Sequence, residues 1–149
     1  MAKFNDYTHF FDQIEKIPFE FKGVEFTVKN THTNAIILES ASEYQQEMDL
    51  EELRLNSKIK AKTATKEEQA EFAVKKAEVG KKFEKALKTV LGEDQFKKLQ
   101  ELEFTTKDLY ILFSIVFGLV SGATHEQIME QLEKMFNPET GELKENEEM

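Results

Sequence analysis

The sequence predicts an α+β fold, mainly α, in which an N-terminal β-hairpin packs on a bundle of about four to five helices and an acidic C-terminal tail stays disordered. Three observations carry this expectation. Apolar residues alternate across "FEFKGVEFTVKN" around the pair Lys22-Gly23, the period of two strands joined by a tight turn. Further along the chain they recur at helical spacings, between recognisable start and stop signals. The closing stretch "NPETGELKENEEM" carries five Glu, one Lys and a net charge of −4, with too little apolar surface to repay the entropy of ordering. Residues 1–137 are therefore expected to form one domain, with the hairpin at 17–30 and helices over 33–136, and residues 138–149 a disordered tail. A chain of 149 residues suits a single core that buries roughly 70% of the surface its unfolded form exposes.

The first element is an N-terminal arm. Phe4, Tyr7, Phe11 and Ile14 fall at helical spacings, which allows either a short amphipathic helix or an ordered arm. Pro18 breaks that pattern, and the strands begin. Phe21 is expected to face Val24 and Phe19 to face Phe26, on a face that must pack against helices because a lone hairpin is marginal in water.

"NTHTN" supplies several N-caps for a long helix with Ile37, Ala41, Tyr44, Met48, Leu55 and Ile59 on one stripe, its continuity in question near Asp49. The polar run "NSKIKAKTATKEEQ" from Asn56 to Gln69 is expected to be a mobile joint. "TKEE" at Thr65 to Glu68 has capping-box form and opens a helix bearing Phe72, Val79, Phe83, Ala86 and Val90; Gly92 closes it. A short helix follows through Phe96, Leu99 and Leu102. Thr105 with Asp108 caps the next helix, in which ten of the twelve residues from Leu109 to Val120 are apolar. That run is too short for a membrane span, which needs about 20 apolar residues, so it belongs at the centre of a bundle or on a surface that a partner covers. Thr124 with Gln127 caps a last helix with Ile128, Leu132, Met135 and Phe136, stopping at Asn137-Pro138.

Charge and composition exclude several classes. With 29 acidic and 20 basic residues, the net charge of −9 repels nucleic acid and anionic lipid. The absence of cysteine removes disulfides and thiolate metal sites, and the N-terminus lacks a signal peptide's layout, so an intracellular protein is expected. The lysines of "KKAEVGKKFEKALK" give a local net of +4, but acidic residues at the start of that helix and basic ones toward its end complement its dipole. "VSGAT" between two helices mimics a helix-turn-helix, yet Glu126, Glu130 and Glu133 stand where a DNA reader needs basic or amide side chains.

Catalytic chemistry is sparse. Asp6, His9 and Asp12 share a helical arc, but the two carboxylates would be about 9 Å apart along the axis, too far to chelate one ion easily. His32 and His125 sit in a loop and a first helical turn, where surface or capping roles suffice. No H-x-x-x-H, phosphate loop or nucleophile elbow is present. The expectation is a protein that is not an enzyme and holds no cofactor or metal.

The order of the hairpin "FEFKGVEFTVKN", segments rich in Glu and Lys, and then "FEKALKTVLGEDQFKKLQELEFTTKDLYILFSIV" resembles the tail assembly chaperones of long-tailed, siphovirus-like bacteriophages that infect Gram-positive bacteria. In that family a hairpin precedes a helical domain, a helix ends in a turn like Leu91-Gly92-Glu93, and a short helix leads to a hydrophobic one. The likeness spans roughly residues 17 to 136; the density of Phe and the polar run at Asn56 to Gln69 match no rule of the family. The resemblance implies a protein of the host bacterium's cytoplasm that binds and solubilises the tape measure protein, helps recruit major tail (tube) protein subunits, and is absent from the mature virion. It implies no cofactor, nucleic acid or membrane. Phe72, Val79, Phe83, Val90, Tyr110, Phe113 and Phe117 form the candidate surface for the partner or for self-association, since they and an unprotected hairpin edge exceed what one small core needs. The alternative is a small bacterial or phage adaptor or regulatory protein that binds one protein partner through its helices.

Overall fold

The computed structural model describes residues 5–10 and 13–136, and among them an antiparallel hairpin is followed by five α-helices. Strands β1 (Lys16–Phe21) and β2 (Val24–Lys29) pair Phe21 with Val24, Phe19 with Phe26 and Ile17 with Val28, the register that the alternation predicts. Lys22 and Gly23 both take positive φ, 51° and 79°, the geometry whose twist matches the flanking strands. Lys22 is not glycine and bears a conformational cost there. Its ammonium is in turn fixed, 2.7 Å from the Asp108 carboxylate and 2.9 Å from the Glu103 carbonyl oxygen. The alternation turns Ile17, Phe19, Phe21, Val24, Phe26 and Val28 onto the helices and leaves the intervening residues exposed.

Both edges of this hairpin are interrupted at their middle position. Pro18 stands opposite Thr27, so on β1 that position has no N–H to offer. Thr27 on β2 turns its backbone outward to the Gln95 side chain: its N–H donates to Gln95 Oε1 at 2.7 Å, and Gln95 Nε2 donates to its carbonyl at 2.8 Å. One amide side chain thus occupies the place of a third strand.

Helix α1 (His32–Lys60) starts at Thr31, whose hydroxyl accepts from the Asn34 N–H, and runs unbroken through Asp49. Helix α2 (Lys66–Leu91) starts at Thr65 and ends at Gly92. The predicted mobile joint is therefore mostly helix. Only residues 61–65 lie between the two, because the Lys, Glu and Gln on either side are good helix formers and Lys58 ties the end of α1 to Glu68 at 2.8 Å. Lys76–Glu52 at 2.9 Å and Lys75–Glu51 at 3.8 Å add rungs along the pair. Burial is uneven: on α1 it falls at Leu38, Ala41 and Met48, on α2 from Val79 to Leu91, so the far end of the pair stands clear of the core.

Gly92, at φ 86°, ends α2 and begins α3 (Glu93–Glu101), which buries Phe96 and Leu99. Helix α4 (Thr106–Val120) opens with a full Thr105/Asp108 capping box, and α5 (His125–Met135) with the same device at Thr124/Gln127. Helix α4 packs against α1, α2, α5 and β2, and no residue from Lys107 to Val120 is exposed. Its apolar run thus forms the centre of the bundle. Gly118 lets α5 come close, since a Cβ there would sit 2.7 Å from Ile128 Cγ1.

The N-terminal segment does not form the amphipathic helix that its spacing allows. Within the described residues it holds a single 3-10 turn, Thr8–Phe10, and Tyr7, Phe10 and Ile14 are 58%, 75% and 70% exposed. Without a surface to lie on, an apolar stripe gives a short helix no stability. Phe4, Phe11, the Asn137-Pro138 stop and the tail at 138–149 lie outside the described residues.

Candidate functional site

The chemistry-bearing residues are scattered. Among the described residues no group of three His, Asp or Glu could hold a metal; Asp12 of the Asp6-His9-Asp12 spacing lies outside them. His32 and His125 occupy the exposed first positions of α1 and α5. Among the described residues no buried polar side-chain atom lacks a hydrogen-bond partner.

What the fold does assemble is an aromatic groove of about 820 Å³, open between α1, α2, α4 and α5. Its floor comes from the α2 and α4 stripes. Phe83 and Phe113 stack face to face, centroids 3.9 Å apart and planes within 3°. Tyr110 meets the edge of Phe83 at 5.2 Å, and Phe117 meets Phe113 edge-on at 5.9 Å. Four interlocked rings make a stiff floor, because such pairs add about 0.5–1.5 kcal/mol each beyond burial. Helix α1 supplies a polar wall of Ser42, Gln45 and Asp49, and Met135 and Phe136 close the end below α5. The Glu52–Lys76 ion pair stands on the rim. Beside it, partial desolvation raises the Asp49 carboxyl above the usual carboxylate value, the Glu52 charge adds to this, and Lys76 opposes it. The site therefore offers apolar area with a charged border.

The seven residues of the candidate surface separate in space. Phe83, Tyr110, Phe113 and Phe117 meet in the groove. Phe83 and Phe113 are only 1% and 4% exposed, so Tyr110 and Phe117 offer most of the reachable aromatic surface. Val79 and Val90 are buried in the core and offer no surface to a partner. Phe72 lies apart, half-buried beside Leu55 in a shallow cleft of the α1–α2 pair. The α1 wall and the Met135-Phe136 end were not among the expected surface residues. Met135 and Phe136 do extend the stripe through Ile128 and Leu132, the one signal that could have found them.

The lysine-rich face of α2 is separate. Lys82 lies over the Tyr44 ring at 4.6 Å, while Lys81, Lys85 and Lys88 make no ion pair among the described residues. Among those residues, too, no helix is long and apolar enough to cross a membrane. No protein family, curated protein or solved structure matches this chain.

Proposed function

We propose that this chain is a tail assembly chaperone of a long-tailed phage, and that its groove holds the apolar stripe of a tape measure helix until the tail is built. The groove carries the reading. An amphipathic helix presents side chains at i, i+3, i+4 and i+7 to such a trough, and the aromatic floor between helices supplies the desolvated anchors that dominate binding energy. The acidic balance of the chain, −9 overall, keeps a complex with an aggregation-prone partner in solution. On this reading the protein works in the host cytoplasm, also helps bring tube subunits to the tape measure, and is left out of the virion.

Co-expression tests this. The tape measure protein encoded beside this chain should be insoluble alone, soluble with the wild type, and insoluble again with Phe117→Lys, which places a charge on the groove floor. Because apolar burial dominates, the complex should persist in high salt, where screening removes charge attraction. A tape measure that stays insoluble with the wild type, with nothing co-purifying at low or high salt, refutes the reading and leaves the adaptor alternative.

A further inference from the structure

One wall of the groove carries polar groups with nothing bound to them. Ser42, Gln45 and Asp49 line it from α1, at the three- and four-residue spacings that share one helix face. None of their side chains makes a hydrogen bond or ion pair among the described residues. Glu52, next on that face, is held by Lys76 at 2.9 Å, which leaves Asp49 as the wall's uncompensated charge. Partial desolvation and then the Glu52 charge push its carboxyl above the ordinary value against the pull of Lys76, and a cation placed beside it would offset both penalties.

The floor below has the length of a helical segment. Along α1 the lining residues run from Ser42 to Glu52, and along α4 from Lys107 to Ser121, or about 15 Å and 21 Å at 1.5 Å per residue. That span holds about three to four helical turns. A helix resting its apolar stripe on Tyr110, Phe113 and Phe117 turns the residues that border the stripe toward the walls. On the α1 side the border meets Asp49.

We propose that Asp49 is the specificity-determining residue of the groove: among helices with a suitable apolar stripe, it selects those that carry Lys or Arg at the stripe's border. This rests on the function proposed above, which places a helix in the groove, and it names the chemistry of that helix. The rings supply affinity through apolar burial, and Asp49 supplies choice, because a charge at the rim discriminates between partners more than it strengthens any one of them.

Fluorescence anisotropy with two labelled helical peptides of about 14 residues, roughly the groove's length, tests this. Both carry Leu and Phe at i, i+3, i+4 and i+7; one has Lys at the two positions bordering the stripe and the other has Glu there. The wild-type chain should bind the Lys peptide roughly fivefold or more tighter at low salt, and raised salt should shrink that preference while leaving both complexes formed. Asp49→Asn should remove most of the preference, and Asp49→Lys should abolish or reverse it. Glu47→Gln removes an equal charge from an exposed position of α1 that does not line the groove, and it should leave the preference unchanged, which separates direct contact from the general pull of an acidic chain. Asp49 is exposed, so its variants should keep the wild-type circular dichroism spectrum and melting curve. Equal binding of the two peptides, a preference that survives Asp49→Asn, or one that Glu47→Gln lowers as much, overturns the role of Asp49 while leaving a helix in the groove. If neither peptide binds, or if Phe117→Lys weakens neither complex, the groove does not hold a helix, and this proposal and the chaperone reading fail together.

Discussion

Phe113 and Phe117 are one helical turn apart on α4, and truncating them should give different results. Phe113 is 4% exposed and stacks on Phe83 at 3.9 Å. A buried Phe removes about 200 Å² from water, worth up to about 5 kcal/mol at 25 cal/mol per Å². The retained Cβ and partial relaxation bring Phe113→Ala to about 3–5 kcal/mol, or a fall of roughly 10–15 °C in Tm for a chain of this size. Phe117 is only half-buried, with one side on the groove, so Phe117→Ala should cost about half as much and weaken whatever binds there. The two rings touch edge-on at 5.9 Å, so the double variant should depart from additivity. Urea denaturation followed by circular dichroism reads the stability, and co-purification with the partner reads the groove. If Phe113→Ala loses under about 1 kcal/mol with an unchanged m-value, the stack is not part of the core and α4 is wrongly placed at its centre.

Two further perturbations test the joints around α4. The Lys22 ammonium bonded to Asp108 holds that carboxyl below the usual carboxylate range, with the Thr105 cap adding to the effect and partial burial opposing it. A depressed folded pKa means that this stabilisation is complete above the unfolded value near 4 and is lost as pH falls through the folded value; Asp108→Asn should therefore lower the urea midpoint at pH 7 and flatten its decline toward pH 3. Gly118→Ala should destabilise by about 1 kcal/mol despite a better helix former, since overpacking against Ile128 costs about 1–3 kcal/mol and propensity returns about 1. On an Ile128→Ala background, which removes the clashing Cγ1, the same substitution should be neutral or stabilising in a thermal melt.

Local signals were legible where the chain's own short-range chemistry decides the outcome. The hairpin register follows from alternation around Lys22-Gly23, and Thr65, Thr105 and Thr124 cap the helices they were expected to start. Where a tertiary surface decides, the sequence misled. The spacing of Tyr7 and Ile14 has helical period but no face to rest on, so it yields an exposed arm. On α1 the stripe through Ile37 and Ile59 missed Leu38, which is fully buried, while Ile59 is exposed. Gln95 looks like any surface amide until β2 lies beside it. The groove was half-legible: its aromatic floor lies on two readable stripes, but its wall needs the angle at which α1 and α5 flank them.

The long α1–α2 pair divides the molecule into parts with different opening kinetics. Toward residues 50–74 no side chain is fully buried, Leu50, Leu53 and Val74 face solvent, and the half-buried Leu55 and Phe72 together with exposed ion pairs hold the two helices together. Such pairs contribute about 0–1 kcal/mol each. Backbone amides near Ser57 and Gln69 should therefore exchange with deuterium through local opening, orders of magnitude sooner than those near Leu87 or Val116, which wait for global unfolding. The tip of the pair should thus melt as a separate unit, with an exchange rate that rises with salt while that of the core stays unchanged.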